Sequence, residues 1–248
     1  MAIDIRDRVV LVTGANRGIG RALAETALER GARKVWVAAR RAESLQSLLE
    51  AHPGRAHALT LDVTKPEHVE KAARAASDVE VLFNNAGVVS LLGGAVTDPG
   101  WLRAGREEMD VNVFGPLALS QAFAPVLARN GGGAVVNVVS VAGLVSFPAL
   151  LSYSASKAAL HSLTQALRAL LRAQGTQVFA VYPGPVDTDM GAQLPVAKAA
   201  PRAVAAAVID GLAAGTEDIY PDPVAEQIGR AFLSNPKALE EQAGSLLA

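Results

Sequence analysis

The sequence contains no cysteine. That excludes a disulfide framework, a cysteine nucleophile, a thiolate zinc site and an iron–sulfur cluster. Histidine is scarce, with His52, His57, His68 and His161 as the full set of 4; no HExxH spacing occurs, so no metal is expected. Excess charge is missing too, Lys+Arg 23 against Asp+Glu 24, which leaves no electrostatic footprint for nucleic acid. The longest apolar run, residues 203–209, is far too short to span a bilayer. Asp4, Arg6, Asp7 and Arg8 interrupt the stretch that a secretory peptide would need to be apolar. These absences suit a cytoplasmic protein with neither nucleic acid nor a membrane as partner.

What is present is material for a large core. Of 248 residues, 50% are hydrophobic and 19% charged, which rules out a disordered chain and suits one large domain over residues 1–248. Short β-branched runs at 9–12, 35–38, 58–61, 79–83, 134–139 and 178–182 predict buried parallel strands. The spacers have helical period, as in 19–30 with Leu23, Ala27 and Leu28 on one face, and 151–172 with Leu160, Leu163, Leu167 and Leu171. Alternating strands and helices predict an α/β fold: a doubly wound parallel sheet of about seven strands with helices on both faces. No linker or internal repeat divides the chain. Residues 188–201, punctuated by Gly191, Pro195 and Pro201, read as a flap over a site.

Directly after the first strand comes Thr13-Gly14-Ala15-Asn16-Arg17-Gly18-Ile19-Gly20, followed by a helix. Glycines let the backbone approach a pyrophosphate, and the helix start offers free N–H groups. The spacing is GxxxGxG. On this motif, and on Asn84-Asn85-Ala86-Gly87, Asn112, Ser140, Tyr153 with Lys157, and Pro183-Gly184 with Thr188 in that order, the chain resembles the short-chain dehydrogenase/reductase family. The resemblance implies a Rossmann fold and a nicotinamide cofactor held by Gly14, Asn16, Arg17, Gly18, Ile19 and Gly20. It also implies adenine contacts from Asp62 and Val63, a small-residue wall at Asn85, Ala86 and Gly87, and a cover over the nicotinamide from Pro183, Gly184, Val186 and Thr188.

The residue ending the second strand approaches the adenosine ribose, and a carboxylate there would repel a 2′-phosphate. Ala39 stands there, followed by Arg40 and Arg41, with Arg17 within reach. Three guanidiniums suit a dianionic phosphate. NADP(H) is therefore the expected cofactor. Asp62 or Thr64 is alternatively a cap for the next helix.

Tyr153 and Lys157, four apart on a helix, share a face. Carbonyl reduction by hydride needs a proton for the developing alkoxide, and a phenol of pKa about 10 is a poor donor near neutrality. A neighbouring ammonium is expected to depress that pKa, which makes Tyr153 the general acid/base and Lys157 its tuner. Ser140 is expected to hold the carbonyl oxygen. By resemblance, Lys157 bonds the nicotinamide ribose, and Asn112, in a long helix, seats a water in a proton relay; a satisfied buried amide is the other reading of Asn112. The predicted activity is reduction of an aldehyde or ketone to an alcohol, or the reverse. Leu91, Leu92, Val141, Leu144, Val145, Phe147, Leu150, Met190 and Leu194 suggest an apolar substrate. The alternative is a non-catalytic NADP-binding sensor or scaffold, against which retention of Asn112, Ser140, Tyr153 and Lys157 together argues. Many relatives end in a Gly-rich strand that helps build a tetramer. Here Asp218-Ile219-Tyr220-Pro221-Asp222-Pro223 and two helices stand instead, so a homo-oligomer is expected as either dimer or tetramer.

Overall fold

The computed structural model describes residues 2–90 and 96–245. Seven strands pair in parallel: Val9–Thr13 (β1), Lys34–Ala39 (β2), Ala56–Thr60 (β3), Val81–Asn84 (β4), Ala134–Val138 (β5), Gln177–Val181 (β6) and Asp218–Ile219 (β7). Their order is β3-β2-β1-β4-β5-β6-β7. Nine helices lie among the described residues: Gly18–Glu29 (α1), Gln46–Ala51 (α2), Pro66–Ala75 (α3), Gly100–Met109 (α4), Gly115–Arg129 (α5), Leu151–Leu171 (α6), Pro201–Ala214 (α7), Pro223–Ser234 (α8) and Pro236–Gly244 (α9).

The strand period of two explains the layering. Val10 and Val12 of β1 join a core with Leu23 and Ala27 of α1 and Val204 and Val208 of α7. Val9 and Leu11 point the other way, into a core with Val69 of α3, Phe123 of α5 and Leu167 of α6. Both faces are covered, so β1 is apolar at consecutive positions and buried throughout. The strand order reverses between β1 and β4, which opens a crevice at the carboxyl ends of the strands.

Two strands start two residues away from the sequence expectation. β3 begins at Ala56, in register with Val35. β4 begins at Val81, because Val79 N–H is taken by Ala76 O in the turn that closes α3. The helix expected around Asn112 is broken by a π-helical turn, Asp110–Phe114, between α4 and α5. Through that turn, Gly100–Arg129 is one 30-residue helical stretch, long and apolar enough by composition to cross a membrane, with half of its most apolar part buried in the fold.

The Gly131-Gly132-Gly133 turn before β5 has positive φ throughout, and a Cβ on Gly133 (φ +64°) would collide with the Glu80 carbonyl. That oxygen accepts from Ala134 N–H at 3.0 Å, so neither side can yield. Gly133→Ala is expected to cost about 3 kcal/mol of stability, read as a lower denaturant midpoint at unchanged m.

Candidate active site

At the first crossover, α1 starts without a side-chain cap and without an acidic residue in its first turn. Its leading N–H groups and positive dipole end are left for an outside anion. The glycines keep the approach open. Gly14 and Gly18 have φ of +65° and +56°, and a Cβ on Gly20 would strike Gly14 O and the Asn85 amide. Thr13, not singled out from sequence, organises this corner. Its hydroxyl donates to Phe83 O at 3.1 Å and accepts from Asn85 N–H and Ala86 N–H, each at 3.0 Å. The Asn85 side chain donates to Thr13 O at 2.8 Å, so it ties the glycine turn to the end of β4.

A cavity of about 1090 Å³ follows the carboxyl ends of the strands, and every residue assigned above to cofactor or catalysis borders it except Asn112. This exceeds the roughly 300–1,000 Å³ of ordinary small-molecule sites, leaving room for a dinucleotide beside a substrate. Arg40 and Arg41 border it as exposed side chains past β2. Arg17 pairs with Asp189 of the flap at 2.9 Å, both largely exposed, so this is a weak, exchangeable contact. Asp62 caps no helix: its carboxylate accepts from Thr64 N–H at 3.0 Å and Thr64 Oγ1 at 2.7 Å. The N-cap of α3 is Lys65, so Thr64 does not cap it either.

Ser140 leaves β5, and its Oγ accepts from Ala142 N–H at 3.1 Å. Tyr153, half-buried, and Lys157, buried, project from consecutive turns of α6. Lys157 Nζ lies 5.6 Å from the centre of the Tyr153 ring and donates to Val138 O at 2.9 Å. Burial lowers the Lys157 ammonium to about 8. Burial also pushes the Tyr153 phenol up, to about 12, against the opposing pull of the Ser140 hydroxyl, and the Glu108 charge raises it further. The expected depression of the tyrosine is therefore corrected: loss of solvent dominates and moves the phenol up.

The contacts of Asn112 match the buried-amide reading. It sits in the π-helical turn as a fully satisfied buried amide, accepting from Val88 N–H and donating to Val88 O, both at 2.9 Å, and to Ser156 Oγ at 3.0 Å. Of the proposed apolar wall, Val141, Phe147, Leu150, Met190 and Leu194 border the cavity. Leu144 and Val145 do not: they pack against core clusters with Tyr182 and Leu239. Leu91 and Leu92 lie outside the described residues.

Residues 188–201 begin with a 3-10 turn, Asp189–Gly191, that Thr188 caps. An isolated bridge joins Val186 to Ala199, with Asp187 N–H on Ala199 O and Ala199 N–H on Pro185 O, each at 2.9 Å. A second residue not singled out from sequence supports the neighbouring turn. Buried Asp222 accepts from Gly184 N–H at 2.8 Å and caps α8 through Ala225 N–H at 2.9 Å. Its signal was legible as an Asp before Pro223 at a helix start.

Residues 8–199 match the family model for short chain dehydrogenase. A short chain dehydrogenase from Burkholderia cenocepacia J2315, solved in complex with NADP, is 38% identical with a TM-score of 0.90, covering 97% of this chain and 99% of that one. A short chain dehydrogenase/reductase from Burkholderia phymatum, solved in complex with NAD, is 27% identical with a TM-score of 0.83, covering 97% and 96%. The protein named probable galactose dehydrogenase GalD, from Rhizobium meliloti, is 37% identical over 194 residues, 75% of this chain and 74% of the relative.

Proposed function

This chain belongs to the short-chain dehydrogenase family, and on that premise we propose that it is an NADP(H)-dependent oxidoreductase interconverting an aldehyde or ketone with its alcohol. The observation that carries the reading is convergence: Ser140, Tyr153 and Lys157 border the same cavity as the uncapped start of α1. When bound, the nicotinamide supplies or accepts the hydride. The protein's own residues supply the rest. Ser140 donates to the carbonyl oxygen, a bond that strengthens as negative charge develops there. Tyr153 then releases its proton to that oxygen. An alcohol is a weaker acid than even a phenol of pKa about 12, so the transfer runs downhill toward reduction. Lys157, next to the phenolate that remains, stabilises its charge.

Preference for NADP(H) is supported by Arg17, Arg40 and Arg41 at the cavity rim and by the absence of a carboxylate at Ala39. Ala39→Asp is expected to weaken NADPH about tenfold relative to NADH, read by cofactor fluorescence titration. Unchanged selectivity would defeat the phosphate assignment. An apolar substrate is supported by Val141, Phe147, Leu150 and Leu194 along the wall. The reading extends to a cytoplasmic homo-oligomer, whose dimer or tetramer state light scattering after gel filtration decides. The activity test is NADPH oxidation against a panel of aldehydes, ketones, ketoesters and steroids. Turnover of one compound that fails in Tyr153→Phe supports the reading, whereas tight NADPH binding with no turnover would favour a sensor.

A further inference from the structure

Glu108 on α4 is fully buried and has no part in the chemistry above. Its Oε1 accepts from Ser90 N–H at 2.7 Å. Its Oε2 has no hydrogen-bond partner among the described residues. A buried carboxylate so sparsely partnered is expensive in a fold and calls for a reason.

Its neighbours along the helix fix which way it faces. Gly105, Glu108 and Asn112 fall at i, i+3 and i+7 and share one face. A Cβ on Gly105 would rest 3.4 Å from Ser152 Cβ. Asn112 bonds Ser156 of α6, and Ser156 donates to Tyr153 O at 2.7 Å. Glu108 sits between these two contacts, opposite the turn of α6 that carries Tyr153. Among the described residues, Ser152 Oγ in that turn and Trp101 Nε1 on α4 are likewise buried without partners. The groups facing the Tyr153 phenol are Lys157 from its own helix, the Ser140 hydroxyl from the end of β5, and Glu108 from α4. The Ser140 hydroxyl favours the phenolate, whereas burial and, among the charged groups, Glu108 oppose it.

We propose that Glu108 is a positioning residue of the reaction, a buried carboxylate that acts across the α4–α6 seam to keep Tyr153 in its proton-bearing form. This rests on the reading of Tyr153 as the proton donor. The charge also works in the expected direction, raising the phenol. With Asn112, which holds Val88, Glu108 also fixes residues 88–90 beside the cavity.

The test compares the wild type, Glu108→Gln and Tyr153→Phe by stopped-flow pH jump, following tyrosinate absorbance before the chain unfolds. The chain has 3 tyrosines, and the Tyr153→Phe difference identifies the signal of interest. Glu108→Gln keeps the shape and the Ser90 bond and is expected to move the Tyr153 midpoint down by about one pH unit. The basic limb of the reduction rate should move with it. A midpoint that stays put overturns the proposal. Should the glutamine variant not fold, Glu108→Met removes charge and unpartnered oxygen together and carries the same comparison. Failure of both to fold would equally overturn it, since the carboxylate would then be a structural requirement. Tyrosinate absorbance needs no turnover, so a shifted midpoint in a protein that reduces no carbonyl would fail the proposed activity, and with it the role in the reaction, whereas an unshifted midpoint in an active enzyme would fail the Glu108 inference alone.

Discussion

Tyr153→Phe is expected to lower carbonyl reduction about 10³-fold, within the 10²–10⁴ that a positioned general acid contributes. The phenyl ring keeps the shape of the wall and Ser140 still reaches the carbonyl, so the loss falls on kcat, with KM and NADPH affinity little changed. That loss corresponds to about 4 kcal/mol of barrier. The pH profile supplies a second signature. The donor must carry its proton, so reduction in the wild type falls as pH rises through the phenol's pKa. In Tyr153→Phe that limb is gone, and the residual rate, due to positioning alone, no longer depends on it. A variant that reduces its substrate at the wild-type rate would remove Tyr153 from the chemistry.

Lys157→Met separates activity from stability in opposite directions. Burial lowers the ammonium from 10.5 to about 8, which means the fold carries a charge it would rather lose, at a cost of about 3 kcal/mol when protonated. Replacing it with a methionine of similar length removes that cost and forfeits the hydrogen bond to Val138 O, worth about 1 kcal/mol. At pH 7 the variant is therefore expected to be about 2 kcal/mol more stable than the wild type, and nearly inactive. The folded state binds the lysine's proton less tightly than the unfolded chain. The penalty is thus fully present below pH 8 and fades as pH rises from about 8 to 10.5. The two stability curves should therefore cross within that window, leaving the wild type about 1 kcal/mol more stable above it. Urea unfolding at neutral and alkaline pH checks this; a less stable variant at pH 7 would mean the amine is held by more than one carbonyl.

Much of the scaffold was legible because parallel strands buried on both faces must be β-branched runs. That made β1, β2, β5 and β6 visible to within a residue or two, while the glycine spacing after β1 marked the anion cradle. Less legible were features that exist only through packing. The π-helical turn at Asp110–Phe114 has no local signature, and it is what turns Asn112 inward to Val88 and Ser156. Leu144 and Val145 look no different from Phe147 in sequence, and all three pack on the same clusters, yet of the three Phe147 alone borders the cavity. The direction of the Tyr153 shift depends on how much solvent is lost against how much charge is gained, a balance that needs coordinates. Glu108 reads as one of two consecutive acids on a surface helix, and only the fold buries it.

The bridge between Val186 and Ala199 has an evolutionary corollary. It clamps both feet of the segment that overhangs the cavity. Closing a longer loop adds little entropy per residue once its ends are held. Insertions, deletions or replacements between Ala192 and Lys198 can thus reshape the roof while leaving the sheet, the glycine corner and the tyrosine helix untouched. The cavity thus has one variable side facing a fixed wall, since Val141, Phe147 and Leu150 lie outside the clamped segment.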